Sequence, residues 1–224
     1  MIAVFQGVVT ESDQPKEGKW GYIDKTGKLV IPLQYEKADY SWSESGYAYV
    51  KMNGKYGAID RTGKLCIPCT WDSISMGDGQ YALGKRDEKY YVIDMNGAIV
   101  SAIQQKNAYF DSAETVYVYD DYDVHHRAIL DVQGNVIMEG DWYGIDQREE
   151  NLFSVSTRDM QAKKNSYGIY DASAGKLIVP MVYDEINYTL SDNRRLMKQL
   201  GYYGFFDENF QVTIPAQYED AISF

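Results

Sequence analysis

The residues best equipped for chemistry lie in one run, Val116 to His126, which reads VYVYDDYDVHH. It holds both histidines of the chain, His125 and His126, beside Asp120, Asp121 and Asp123. Imidazole with carboxylate is a donor set for a divalent metal. Adjacent side chains of a strand point to opposite faces, however, so the two histidines do not converge on one ion. The aspartate spacing also lacks the glycine and distal glutamate of a calcium loop. The run is read as a solvated hairpin tip, and no metal or other cofactor is expected. A second candidate is Cys66-Ile67-Pro68-Cys69, the C-x-P-C spacing of a thioredoxin-type redox site. That chemistry needs a helix N-terminus to lower the thiol pKa. Nucleophilic catalysis finds no G-x-S-x-G, H-E-x-x-H, Walker or G-x-G-x-x-G stretch. A glycosidase-like pair drawn from the 33 Asp and Glu stays open as the hydrolase alternative.

A third set of carboxylates recurs: Asp24, Asp60, Asp94, Asp131, Asp171 and Asp207, spaced by 36, 34, 37, 40 and 36 residues. A catalytic carboxylate occurs once or in a pair, whereas six at a fixed period mark a structural position in a repeat. Residues 19 to 38, KWGYIDKTGKLVIPLQYEKA, align without a gap on residues 55 to 74, KYGAIDRTGKLCIPCTWDSI. YGIYDASAGKLIVPMVYDEI from Tyr167 and YGFFDENFQVTIPAQYEDAI from Tyr203 repeat the pattern, and weaker copies start at Tyr90 and Arg127. The alignment also absorbs the cysteines. Cys66 stands where Val30, Ile178 and Thr213 stand, and Cys69 where Leu33, Met181 and Ala216 stand, so both read as packing residues.

The elements that carry these positions are short strands. The first runs from Trp20 to Asp24, with a small residue (Gly21, Gly57, Gly168, Gly204; Tyr91 and Ala128 in the weak copies) two places before a large apolar one. That pairing suggests close approach of a neighbouring unit. The turn Asp24 to Gly27, repeated at Asp60 to Gly63, uses the carboxylate to bond the backbone two residues on and glycine for positive φ. A second strand is closed by Pro32, Pro68, Pro180 or Pro215, since proline marks a strand end or edge. A third segment opens at Tyr35-Glu36, and a fourth, Tyr47 to Met52, runs through Asn53-Gly54 into the next copy. Each unit is therefore expected to be a four-stranded antiparallel meander. The chain is expected to be all-β and one repeat domain over 1–224, with repeats near 19–53, 55–88, 89–119, 126–160, 166–200 and 202–224. The last copy stops after its third segment, and residues 1–9 resemble a lone fourth strand. Pairing of that strand with the last repeat would close a six-bladed propeller-like ring; the alternative is an open β-solenoid or superhelical array.

The Lys-Trp-Gly at 19 to 21 with Asp24, Gly27, Pro32 and Tyr35 resembles the bacterial WG (or KWG) repeat family. The resemblance extends over essentially the whole chain, weakest in the third and fourth copies. It implies an all-β repeat domain of bacterial origin and supplies neither an activity nor catalytic residues.

Composition sets the partners. Across 224 residues, 22 Lys and Arg face 33 Asp and Glu, a formal net charge of −11. Such a surface repels phosphate backbones and anionic lipid heads, so neither nucleic acid nor membrane is expected as a partner. The start MIAVFQGVVT has no basic lead, no apolar run approaches a membrane span, and two Cys make no disulfide framework, which together suggest a cytoplasmic protein. Acid is densest from Asp111 to Glu150, where 11 Asp and Glu face only Arg127 and Arg148. Aromatic residues are interleaved there, Tyr117, Tyr119, Tyr122, Trp142 and Tyr143. Because recurring residues are scaffold, the divergent middle is where special duty is expected. The reading is a non-enzymatic interaction module that holds a protein partner, of basic character, through Tyr117, Tyr119, Asp120, Asp121, Tyr122, Asp123, His125, His126, Trp142 and Tyr143. A glycan-binding module using exposed Tyr and Trp is the alternative.

Overall fold

A computed structural model describes residues 1–9, 15–43, 45–77, 80–120, 126–149 and 151–222. Among them all regular structure is strand. Period-two alternation gives the strands their two faces: in Tyr47–Met52, Ala48 and Val50 are buried and Tyr47 and Tyr49 only half-buried.

Six antiparallel sheets follow in chain order. The first has three strands, β1 (Ile2–Val9), β2 (Pro15–Ile23) and β3 (Leu29–Tyr35). The second is β4 (Lys37–Ala38), β5 (Tyr47–Met52), β6 (Lys55–Asp60) and β7 (Leu65–Trp71). The third is β8 (Ser73–Met76), β9 (Tyr81–Arg86), β10 (Lys89–Asp94) and β11 (Ile99–Ile103). The fourth is β12 (Asn107–Phe110), β13 (Thr115–Tyr119), β14 (His126–Asp131) and β15 (Val136–Asp141). The fifth is β16 (Gly144–Glu149), β17 (Leu152–Asp159), β18 (Lys164–Asp171) and β19 (Lys176–Tyr183). The sixth is β20 (Glu185–Ile186), β21 (Arg194–Gln199), β22 (Tyr202–Asp207) and β23 (Val212–Tyr218).

The four-stranded meander is present, but its phase differs from the sequence repeat. Each four-stranded sheet joins the third and fourth segments of one repeat to the first and second of the next. The connections decide this. A single residue separates β3 from β4 (Glu36), β7 from β8 (Asp72) and β19 from β20 (Asp184). A hairpin needs about two turn residues, so the chain cannot fold back there and passes to the next sheet. The fourth-to-first connections do have two: Asn53-Gly54, Asp87-Glu88 and Leu200-Gly201, all at positive φ as a type I′ turn requires. Leu200 is the misfit among them, a branched residue at φ 51° and 82% exposed. Leu200→Asn is expected to stabilise the protein by about 1 kcal/mol, because Asn tolerates the left-handed region; a thermal melt that fails to rise would contradict this.

The strand β1 belongs to the first sheet. It pairs along its length with β2, from Ile2↔Ile23 to Val9↔Pro15, and its sheet ends there. It occupies a fourth-strand place beside a first strand.

The Trp-Gly and Pro positions turn out to be one device. Trp20 pairs with Tyr35 and Tyr22 with Ile31, so β3 carries two extra residues opposite Gly21, in the stretch that holds Pro32. The same bulge lies opposite Gly57, where Tyr56 pairs with Trp71 and Ala58 with Ile67. A Cβ on Gly21 would sit 2.5 Å from the Ile31 carbonyl oxygen, and on Gly57 2.4 Å from that of Ile67. Gly168 and Gly204 meet Val179 and Ile214 at 2.6 and 2.5 Å. The close approach therefore comes from the next strand of the same sheet, not from a neighbouring unit. Pro32 lies inside β3, at a bulge of an outer strand, which is where a missing N–H does no harm. The third repeat has no proline and two fewer residues here. Tyr90↔Ile103 and Tyr91↔Ala102 pair in register, and a tyrosine is accommodated where four of the other repeats have glycine.

The packing forms two compact units, one holding β1 to β13 and most of β14, the other β16 to β23 and most of β15. The cores of the first are built around Tyr22, Ile31, Tyr35, Val50 and Ile59, around Ile67, Trp71 and Ile93, and around Val92, Val116, Val118 and Leu130. The core of the second is Ile169, Val179, Tyr183, Met197, Phe206 and Phe210. Among the described residues no helix is long and apolar enough to cross a membrane.

Candidate interaction surface

The recurring carboxylates are occupied by the turns they make. Asp24 Oδ1 accepts from the Thr26 amide (2.8 Å), the Thr26 hydroxyl (2.6 Å) and the Lys28 amide (3.1 Å). Asp60 repeats this with Thr62 and Lys64, and Asp171 with Ser173 and Ala174. Asp94, Asp131 and Asp207 accept from Asn96, Asn135 and Asn209. Gly27, Gly63, Gly97 and Gly134 hold the following positive φ near 85°, and in the sixth repeat Phe210 takes that place at φ 59°. Its ring is 5% exposed and packs on Phe206, so core burial holds a conformation its backbone disfavours.

These bonds hold Asp24, Asp60 and Asp171 below the ordinary carboxylate value, first through the hydroxyl of Thr26, Thr62 or Ser173 and then through backbone amides. In the unfolded chain such groups titrate near ~3.9. Over the interval between the two values the unfolded chain binds more protons. The stabilisation is therefore complete above the unfolded pKa and is lost as pH falls through the folded one. Denaturant unfolding followed down from about pH 5 is expected to show this loss. The D24N/D60N/D171N variant keeps the acceptor oxygens without titrating and should show a shallower slope; an unchanged slope would contradict the assignment.

A second recurring acid follows the core aromatic. Glu36 accepts the Gly54 amide at 3.0 Å, Asp72 the Asp87 amide at 3.1 Å, and Asp184 the Gly201 amide at 2.8 Å. Each clamps the type I′ turn of its own repeat, a role the sequence reading did not assign although the Tyr-Glu, Trp-Asp and Tyr-Asp recurrence carried the signal.

The cysteines lie on β7, an outer strand, with no helix beside them among the described residues. Burial pushes both thiols up, the reverse of an activated thiolate.

The structure divides the middle-repeat residues. Tyr117, Tyr119 and Trp142 are 4%, 8% and 6% exposed, so their rings are packing and offer a partner little surface. Trp142 lies 15 residues after Arg127, the interval from Trp20 to Tyr35 and from Tyr56 to Trp71. It is the core aromatic of the fourth repeat, against Tyr170 at 5.2 Å. That interval was legible, and the weak match of the repeat hid it. Arg127 stands in the Trp20 place and its Nε donates to the Trp142 carbonyl at 2.8 Å. Tyr143 stands in the clamp position, its amide donating to Ser156 at 2.7 Å, with the Arg158 guanidinium 5.2 Å above its half-buried ring. Asp120 is exposed and accepts the Lys106 amide at 3.0 Å. Asp121, Tyr122, Asp123 and His125 lie outside the described residues.

His126 begins β14, with Nδ1 3.2 Å from Asp141 and Nε2 3.7 Å from Glu139. The His126 side chain is 48% exposed, and those of Glu139 and Asp141 are 57% and 87% exposed. Asp146 and Glu149 on β16 are exposed acids, contacted by Arg148 and Arg195. Among the described residues no set of three His, Cys, Asp or Glu side chains is arranged to hold a metal. A depression of about 510 Å³ is lined, among the described residues, by Ser45, Tyr47, Gln80, Tyr81, Asp94, Met95 and Asn96, and the Asp94 carboxylate is already bound in its turn. An aromatic feature missed in the sequence is Tyr109, 48% exposed and stacked on Tyr117 at 4.8 Å and 18°.

No curated protein matches the chain. Solved structures with similarity include a eukaryotic initiation factor (11% identity, TM-score 0.46, covering 90% of this chain and 60% of that one). A protein of unknown function from Bacteroides caccae matches at 12% identity and TM-score 0.31, over 92% of this chain and 91% of that one. Chaetomium thermophilum Sqt1, bound to the N-terminus of ribosomal protein L10, matches at 11% and 0.37, over 85% and 66%. The chain thus spans about three fifths of the initiation-factor structure. The family model described as WG containing repeat matches residues 20–56, 56–90, 167–194 and 203–224. Those segments hold the Gly–Pro bulges and leave out the third and fourth repeats, and with more than half of its length matched the chain belongs to the WG-repeat family.

Proposed function

We propose that this WG-repeat chain is a non-enzymatic scaffold that holds a basic protein partner on the acidic surface of β14 to β16. The observation that carries the reading is a division of labour among the carboxylates. Those that recur are spent on turns and clamps, whereas Glu139 and Asp141 are exposed and, among the described residues, flank His126. Exposed acid without a structural duty steers and orients a cationic partner. Affinity capture from the native cell followed by direct binding tests the proposal. Glu139→Lys with Asp141→Lys is expected to weaken a captured basic partner by about tenfold or more, with a steep salt dependence, while the melt is unchanged. Equal binding by this variant would overturn it.

Tyr109 supports a second reading, a glycan stacked on an exposed ring that Tyr117 supports from beneath. A glycan array giving a saturable binder that Tyr109→Ala abolishes would favour it over the protein partner; an array without one would remove it.

A further inference from the structure

The marker turn of the third repeat differs from those of the first, second and fifth. Asp24, Asp60 and Asp171 each accept a hydroxyl from two residues on, that of Thr26, Thr62 or Ser173, at 2.6 Å. In the third repeat Asn96 stands in that place. Its backbone amide donates to Asp94 Oδ1 at 2.8 Å, and the Ala98 amide donates to the same oxygen at 2.9 Å. The turn thus uses one oxygen of Asp94. Among the described residues, Asp94 Oδ2 and the Asn96 carboxamide have no partner. Both residues line the depression of about 510 Å³, a volume within the range of about 300–1,000 Å³ for small-molecule sites.

Tyr47 and Tyr81 line the same depression, both half-buried. They hold one repeat position, the start of the fourth segment, where Tyr47 pairs with Asp60 and Tyr81 with Asp94. The fold does not require tyrosine there, since Leu152 pairs with Asp171 and Arg194 with Asp207 in the fifth and sixth sheets. The two hydroxyls have no structural duty either. The Tyr22 hydroxyl donates to the Asp39 carbonyl at 2.9 Å and that of Tyr188 to Ser154 at 2.7 Å, whereas those of Tyr47 and Tyr81 meet no partner among the described residues. Gln80, which is exposed, adds a second carboxamide without a partner among them.

We propose that this depression binds a neutral sugar. Phenol and carboxamide groups both donate and accept, and a carboxylate oxygen accepts from hydroxyls, so the set matches a ring that carries many O–H groups. A tyrosine also offers a flat apolar body beside its polar tip, which suits the C–H face of a pyranose. A phosphate or carboxylate ligand would meet Asp94 without a counter-charge, because among the described residues no Lys or Arg lines the depression. All of these residues belong to one compact unit. The site shares no residue with the acid pair beside His126 or with the exposed ring of Tyr109.

An array of neutral and acidic glycans, followed by NMR titration of the full chain with each neutral glycan it retains, tests this. Saturable binding is expected to move the amide resonances of Tyr47, Tyr81 and residues 94 to 96. Gln80→Ala with Asn96→Ala removes two exposed carboxamides and should weaken the affinity about tenfold or more while the melt is unchanged. Tyr47→Leu installs the residue type that the fifth sheet carries at this position, and it should weaken binding without unfolding the sheet. Tyr109→Ala should leave this affinity intact. Capture of a basic partner is read by a different variant, Glu139→Lys with Asp141→Lys, so either proposal can fail alone. An array that retains no neutral glycan would overturn the sugar site. So would a bound glycan whose affinity ignores both the Gln80 and Asn96 pair and Tyr47→Leu, or one that Tyr109→Ala abolishes.

Discussion

Trp142→Ala is expected to destabilise the second unit by about 3–5 kcal/mol, the range for removing a large buried aromatic side chain. The indole is 6% exposed, lies against Gly140 and packs on Tyr170, and no smaller side chain fills that space. The measurement is denaturant unfolding of the variant. The outcome discriminates between two roles. A partner-contacting Trp142 would lose binding with the melt intact, whereas a core Trp142 loses the melt itself. The surface pair Glu139 and Asp141 should behave in the opposite way, leaving stability alone and affecting association. Reading both variants side by side separates scaffold from contact surface.

Gly57→Ala is the second large effect, about 2–3 kcal/mol, within the range for forcing an extra carbon into filled space. Its added carbon would meet the Ile67 carbonyl oxygen at 2.4 Å and the Cys69 amide nitrogen at 2.9 Å. Both are backbone atoms, so neither can swing away as a flexible side chain would. The control is Gly54→Ala, where an added carbon has nothing within 4 Å and the cost is only that of holding φ 76°. Gly57→Ala should therefore lower the denaturation midpoint more than Gly54→Ala. Equal shifts would mean that backbone conformation, not the bulge, explains the conserved geometry of the Gly–Pro pair across the four repeats.

The turn aspartates, the glycines after them and the Asn-Gly hairpin were legible in the amino-acid sequence because each works over two to five residues of its own neighbourhood. Asp60 needs only Thr62 and Lys64 to form its turn. The packing role of Cys66 and Cys69 was legible for a related reason, since alignment to Val30 and Leu33 replaced an isolated motif by a repeated position. The candidate surface was legible only in part. Acid density marks the stretch from Asp111 to Glu150, but it does not show that the rings of Tyr117, Tyr119 and Trp142 are covered. Composition counts aromatic residues without saying which side of a strand each occupies.

Sequence alone determined that six copies of one β unit make up this chain, that their shared carboxylates are turn chemistry, and that the unit bears the marks of a WG repeat. Tertiary structure decided the phase of the sheets, the partner of Ile2–Val9 and the burial of Trp142. The physical reason is range. A turn is settled by bonds among residues that are already neighbours along the chain. Whether a strand pairs with the one before or the one after, and whether a ring meets solvent or another ring, depends on residues brought together only when the sheets form.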